Sequence, residues 1–358
     1  MNTNYLKKYW LHLAITILLI IITLTFTIKK DEVIMLPSVL KQVPIKYIVA
    51  IIVSIFLFFL CQAQAVKILL SSLGFPIKCS RTMAYTLIDY YFSAITPGAI
   101  GGQPAEIFFM RRDGIDVGSS SLVMLIFNGI YHFSVVGVLL ISSIIKPNVV
   151  TSFFSKQPIF QYLFLFGLMA QIFLVSFFCL LIFSKKLMPK ILGALVSKLE
   201  LFAFFRKKNL STRLNYMLDE YRLGANWIKE NPFLVLKLIP IGLLHIFLYY
   251  SVGFWVAKAL GSTSPSLIEM VCLQGIFTMT FEALPLPSGV GIAERGFLSI
   301  FEPIYGHDNL AAAMLITRGL TFYLFLSVGA FTSLFLQANK VKRSGKFVER
   351  IKNKIKHK

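Results

Sequence analysis

Two segments of this chain, Pro97 to Phe109 and Pro285 to Phe297, share the pattern P-x3-G-x3-A-E-x2-F inside strongly hydrophobic sequence. The fixed residues are Pro97, Gly101, Ala105, Glu106 and Phe109 in the first copy, and Pro285, Gly289, Ala293, Glu294 and Phe297 in the second. Proline lacks the N–H that a helix interior uses and glycine weakens helices, so each copy interrupts a helix where lipid offers the freed backbone groups no partner. A duplicated helix break at membrane depth points to a transport site between structural repeats.

Composition fixes the class. Hydrophobic residues fill 56% of the 358 positions, with 34 Phe and a mean hydropathy of +0.74, more apolar matter than a soluble core of this size takes up. The run Trp10 to Ile28 follows Lys7 and Lys8 like a secretory signal, but no small-residue cleavage site follows it, and it reads as a retained first span. The formal charge of +20 raises nucleic acid as a partner. The bases nevertheless concentrate in two stretches. Residues 185–230 hold ten Lys and Arg against four acids, and the tail from Lys340 to Lys358 holds nine against Glu349 alone. That distribution is a topology signal and predicts contact with anionic lipid head groups at the loop and tail, not nucleic acid. Cys61, Cys79, Cys179 and Cys272 have neither disulfide nor zinc spacing, and no metal or cofactor is expected.

Placing both basic stretches in the cytoplasm fixes the parity of the segments between them. Span two, about 46–70, returns inside. Residues 83–110 then enter and leave on one side, between Lys78 and Arg81 at the start and Arg111 and Arg112 at the end. Spans near 117–145 and 159–184 follow, then the basic loop and a span near 233–260. Residues 266–302 begin and end outside, because the last span, near 309–338, delivers the tail to the cytoplasm. A helix of 14 residues from Met83 to Thr96 is about 21 Å long, too short for a hydrocarbon core of about 30 Å, so the first break region reads as a re-entrant hairpin. Pro97 and Gly98 end its first arm, and Pro104 sits where a new helix starts around Gln103. For the second region, interrupted by Pro285 and Pro287, a re-entrant pair and two tilted spans remain open.

The expected fold is an all-α polytopic membrane protein with about six full spans and two Pro/Gly-broken hairpins, or eight helical spans if the hairpins cross. Repeat one covers about 46–145 and repeat two about 233–338, in inverted topology, with a basic cytoplasmic loop at 185–231. A single integral domain, 1–338, precedes the basic tail, 339–358. Both termini are expected in the cytoplasm, with the chain in the cell membrane.

Charges at bilayer depth are expensive and usually face a partner or a cavity. Asp89 and Glu106 flank the first break, Glu282 and Glu294 flank the second, and Arg318 lies in the final span. New helices starting near Gln103 and Val290 present free N–H groups and a positive dipole end, which suits a phosphate and makes Gly101, Gly102, Gln103, Gly289 and Gly291 candidate ligands. Glu106 and Glu294 are candidates for a cationic head group or proton exchange, against the plainer reading of acids in a helix first turn. Arg318 reads as a phosphate clamp or as a structural ion pair with Glu282 or Glu294. Asp89, Glu282, Arg112, Arg295 and Asn128 are secondary candidates, with interfacial anchoring or interhelical hydrogen bonding as the alternative. Lone His132, His245, Lys237 and Lys258 read as packing or snorkelling groups.

The sequence holds no G-x4-G-K-[ST] loop, no H-E-x-x-H, no G-x-S-x-G and no dinucleotide fingerprint. Transport is favoured over catalysis, with a membrane-embedded enzyme acting on a lipid phosphate and a scaffold for a lipid synthase as the other classes. The segments Pro97-Gly98-Ala99-Ile100-Gly101-Gly102 and Pro285-Leu286-Pro287-Ser288-Gly289-Val290-Gly291-Ile292-Ala293-Glu294, with Arg318 beyond them, resemble the lysylphosphatidylglycerol synthase transmembrane region, a flippase-like family. Ser288 stands where that family often has Gly. The resemblance implies translocation of aminoacylated phosphatidylglycerol or a related phospholipid without lipid synthesis, since the soluble aminoacyltransferase part has no counterpart in this sequence, and a separate synthase as a partner. Relatives associated with polyprenyl-phosphate sugars leave that cargo open.

Overall fold

The computed structural model describes residues 43–96, 100–156, 158–184, 190–191, 193–194, 210–282 and 292–338. The first span, 10–28, and the basic tail lie outside them. Among the described residues the regular structure is helical, without a strand.

The first half contains α1 (Ile45–Ser72), α2 (Cys79–Ile95), α3 (Gly102–Arg112) and α4 (Val117–Ile145). A short α5 (Pro147–Lys156) and the long apolar α6 (Pro158–Phe183) follow. The basic stretch contains α7 (Leu210–Glu230). The second half contains α8 (Pro232–Ala259), α9 (Leu267–Phe277) running into a π-helix at Thr278–Glu282, and α10 (Ile292–Tyr305). It closes with α11 (His307–Arg318), a π-helix at Gly319–Tyr323, and α12 (Leu324–Ala338). Five described helices are long and apolar enough to cross a membrane: Ile45–Ser72, Val117–Ile145, Phe160–Ile182, Pro232–Ala259 and Asn309–Leu336. This is an all-α polytopic membrane protein.

Side-chain periodicity explains how the helices turn. On α1, Ile51, Ile55, Phe59, Ala63, Val66 and Leu69 are buried at three- to four-residue steps, while Val49, Ile52, Val53 and Phe56 are exposed on another face. Those exposed residues are apolar and therefore suit lipid. The same holds on α12 for Leu324, Val328, Phe331 and Phe335.

The two halves pack as copies of one another. α1 lies on α2 as α8 lies on α9; α3 contacts α4 as α10 contacts α11; α2 packs against α12 as α9 packs against α4. The leading helices α1 and α8 cross at their centres, where His245 Nδ1 meets the carbonyl of Phe58 at 2.8 Å and the two rings stack 3.9 Å apart. One core joins the N-terminal part of α1 (Ile51, Ile55) to the C-terminal part of α8 (Val252, Val256), and a second joins Leu69 and Leu70 to Leu238. The two helices are thus antiparallel, as inverted repeats require.

Each core also holds the base of one hairpin. Phe75, Tyr85, Met110 and Ile115 lie in the second core, together with Tyr221, Ala225 and Ile228 of α7. Met270, Phe301 and Tyr305 of the second hairpin lie in the first. The hairpins therefore open at opposite ends of the bundle, and α7 sits at the end of the first. Sequence did not reveal that this stretch contains a helix: α7 caps the bundle with a few apolar residues, and the Tyr221 hydroxyl donates to the carbonyl of Leu181 at 2.9 Å.

Close backbone approach makes one crossing especially intolerant. A Cβ on Gly329 of α12 would lie 2.5 Å from the Leu87 carbonyl oxygen of α2, an atom no rotamer can move. Gly329→Ala should lower stability by about 1–3 kcal/mol, read as a fall in the thermal midpoint of the purified protein. Gly319→Ala, with nothing within 4 Å of its Cβ position, should leave that midpoint unchanged.

Candidate functional site

The first hairpin is pinned at its open end. Arg81, in the first turn of α2, donates through Nη2 to Asp113 Oδ1 at 2.7 Å, and its Nε and the Tyr85 hydroxyl both donate to Asp113 Oδ2. Asp113 directly follows α3, so both arms return to one level. With 17 and 11 residues, they are about 25 and 17 Å long, short of the bilayer core. This bears out a re-entrant segment between residues 83 and 110, with α2 starting four residues before the expected Met83.

The second hairpin is closed in the same manner. Gly253 of α8 has Met270 Sδ 2.9 Å and the Tyr305 hydroxyl 3.6 Å from its Cβ position, and that hydroxyl donates to the Gly253 carbonyl at 3.0 Å. Met270 begins one arm and Tyr305 ends the other. The two arms thus end at one level, as both alternatives left by the sequence require; residues 283–291, which join them, lie outside the described residues. Lys146 Nζ at the end of α4 pairs with Glu269 Oε1 at 2.9 Å beside this base.

At the tip of the first hairpin, Thr96 manages the break. Its hydroxyl donates to the Phe92 carbonyl at 2.6 Å and accepts the Gly101 N–H at 2.9 Å, so backbone groups freed by the interruption are satisfied locally. Gly102 is buried against α2: a Cβ there would lie 2.3 Å from Asp89 Oδ1, 2.6 Å from the Asp89 carbonyl oxygen and 2.0 Å from Ser93 Oγ. Pro104 is the third residue of α3, where its missing N–H costs the helix nothing. Gln103 is exposed.

Glu106 is fully buried, and neither carboxylate oxygen has a hydrogen-bond partner among the described residues. It stands one turn beyond Gly102, past the first turn of α3, so the helix dipole does not account for it. Asp89 acts on it electrostatically and accepts Gln62 Nε2 at 3.4 Å. The structure thus brings Gly101, Gly102, Glu106 and Asp89 together, with Gln62 and Ser93 as additions that sequence reasoning missed. The available signal for Gln62 was an amide in the middle of an apolar span.

Other candidates are occupied elsewhere. Asn128 Nδ2 donates to Met124 O of its own helix at 2.7 Å, and Arg112 lies over the Phe109 ring at 5.5 Å. His132 pairs with Gln171 at 2.6 Å. Arg318 ends α11 half-buried, directly before the π-helix, and within that π-helix the Thr321 carbonyl accepts the Tyr90 hydroxyl of the first hairpin at 2.6 Å. Arg318 is therefore three residues from a contact with the first hairpin. Pro97, Pro285, Pro287, Gly289 and Gly291 lie outside the described residues, as do the side chains of Glu282, Glu294 and Arg295. Both π-helices fall in the second half, one before its break and one after Arg318, and no spacing in the sequence signalled them.

Between α4, α8 and α9 lies a laterally open cavity of about 310 Å3, lined by apolar side chains including Val138, Leu243, Phe247 and Val271. Ile145 and Ile268 at its edge are sequence neighbours of the Lys146–Glu269 pair. Among the described residues no group of three or more His, Cys, Asp or Glu is placed to hold a metal.

The family model described as lysylphosphatidylglycerol synthase TM region matches residues 9–329. A UPF0104 membrane protein of Archaeoglobus fulgidus is 29% identical over 68 residues, 19% of this chain and 21% of the relative, so the match spans about a fifth of that protein's length. No solved structure matches the chain.

The Arg81–Asp113 contact is bidentate and mostly shielded, with side chains 22% and 10% exposed. A double-mutant cycle over Arg81→Ala and Asp113→Ala should give a coupling of about 1 kcal/mol or more, above the usual range for exposed pairs. Arg81→Lys should not restore it, because an ammonium cannot reproduce the two-pronged contact.

Proposed function

Because the chain belongs to the lysylphosphatidylglycerol synthase TM region family, we propose that it is a lipid flippase, moving aminoacylated phosphatidylglycerol or a related phosphate-containing lipid across the cytoplasmic membrane. The observation that carries this reading is the pair of broken helical hairpins, held in antiparallel halves with their bases at opposite ends of the bundle. Such a pair supplies equivalent half-sites to the two leaflets, as alternating access requires.

The lateral cavity of about 310 Å3 suits an acyl chain that stays in the bilayer while the head group crosses. For the phosphate, the groups of suitable chemistry are Arg318 and the helix starts carrying Gly101, Gly102, Gln103, Gly289 and Gly291. Asp89 crowds the start of α3, which favours Arg318 and the second half as the anion side. Glu106 and Glu294 are the matching groups for a cationic head group or for proton exchange. Movement follows the lipid gradient or is coupled to an ion. The basic stretch around α7 marks the cytoplasmic end, with both termini on that side, anionic lipid against the basic residues and a separate synthase supplying the cargo.

Reconstitution into vesicles with fluorescent phosphatidylglycerol, lysylphosphatidylglycerol and a neutral diacylglycerol analogue tests this. Wild type should move at least one phosphate-bearing lipid. Arg318→Ala should slow it about tenfold or more, the equivalent of losing one charge-assisted phosphate contact. Folded Arg318→Ala protein moving lipid at the wild-type rate removes the clamp, and a wild-type protein that moves none of the three refutes the flippase reading.

A further inference from the structure

The seam between α2 and α3 contains two carboxyl groups that lack a cationic partner. α2 presents Arg81, Tyr85, Asp89 and Ser93 at four-residue steps, hence on one face. α3 answers in antiparallel order: Asp113 meets Arg81 and Tyr85, and Gly102 meets Asp89 and Ser93. Glu106 lies between those two contacts, one turn beyond the Gly102 that touches Asp89.

Among the described residues, neither Asp89 nor Glu106 forms a salt bridge. α12, packed on α2, has no ionisable side chain. α1 contributes Gln62, neutral and already bonded to Asp89, with Cys61 and Lys67 nearby in sequence. α4, packed on α3, carries Asp116 at its N-cap, bonded to the Ser119 N–H, and His132, bonded to Gln171. Arg81 is engaged by Asp113 at the hairpin base, and Tyr90 by Thr321. Two facing carboxylates in such a place require one positive charge.

Space and donor chemistry decide which charge. A metal cation prefers about six oxygen ligands. The volume beside Asp89 is taken by Gly102, whose Cβ position is 2.3 Å from Asp89 Oδ1, and Gln62 turns an N–H donor, not an oxygen, toward Asp89. A proton needs neither volume nor extra ligands.

We infer that Asp89 and Glu106 form a proton-exchange site, in which one proton resides on the pair and is released and regained as the hairpin moves. In release, the O–H bond of the protonated carboxyl breaks, the electron pair stays on its oxygen, and water at the open end of the hairpin takes the proton. Reloading is the reverse. The site stands on the contact of Gly102 with Asp89 and on the unpartnered, buried Glu106 carboxyl; that its proton drives lipid movement rests on the flippase reading.

Infrared difference spectroscopy of the full chain in phosphatidylglycerol nanodiscs, titrated across the neutral range, reads the site directly. The expected result is a C=O stretch from one buried protonated carboxyl, shifted by deuteration, lost in Glu106→Gln and lost or displaced in Asp89→Asn. Addition of NaCl at constant pH should leave it in place. Absence of any such band in wild type, a band indifferent to both substitutions, or its removal by sodium each overturns the proposal. Should Glu106→Gln fail to fold, Asp89→Asn and Asp89→Glu carry the same comparison. Vesicles under an imposed pH gradient then separate the two readings. A carboxyl band together with lipid movement that ignores the gradient overturns the coupling and keeps the site, whereas a band with no lipid movement at all overturns the flippase reading and keeps the site.

Discussion

The need to satisfy a broken helix inside lipid governs this structure. Where α2 ends and α3 begins, backbone groups lose their helical partners at a depth where water is scarce. Three features answer that need together. Thr96 accepts the Gly101 N–H and donates to Phe92, Gly102 allows α3 to lie directly against α2, and Arg81 with Tyr85 ties Asp113 back to the start of the hairpin. None would hold the hairpin alone, and the last two require the arms to be antiparallel neighbours. Long helices then cover the hairpin: α1 and α12 lie against α2, and α4 against α3. The second half repeats the solution with other chemistry, closing its hairpin through Tyr305 and Gly253 and a neighbouring Lys146–Glu269 pair.

That difference in chemistry is informative. The repeats share a helix plan and the motif that carries Glu106 and Glu294, but the polar contacts that close their bases differ. In the first half Gly102 meets Asp89 and Ser93 while Gln62 donates to Asp89, whereas both described π-helices lie in the second. The lateral cavity between α4, α8 and α9 adds an apolar surface where the halves meet.

Much of this was legible before any coordinates. The span limits near 46–70, 117–145, 159–184 and 233–260 agree with α1, α4, α6 and α8 to within a few residues, because each is a long apolar run ended by charge or Pro. The charge walk placed the two breaks at opposite faces, and the two cores agree with it. What escaped was anything held together by contacts between distant residues. α7 looked like a basic loop because its few buried residues are diluted by charge. Asp89 looked secondary because sequence distance hid that it faces Glu106 across a seam, and Asn128 looked available although it bonds within its own helix.

The sequence by itself determined that this chain is an all-α membrane protein, where its helices run, and that two similar breaks enter from opposite sides. Those properties follow from hydropathy, helix periodicity and charge distribution, which are local and additive along the chain. Only the tertiary structure decided that Met270 and Tyr305 close the second region against Gly253, that Gly102 is the contact point of the first break, and that Asp89 and Glu106 share one seam. Those facts depend on which side chains meet after the helices pack, and in lipid, where apolar faces are nearly interchangeable, packing is settled by small residues and polar contacts between segments far apart in sequence.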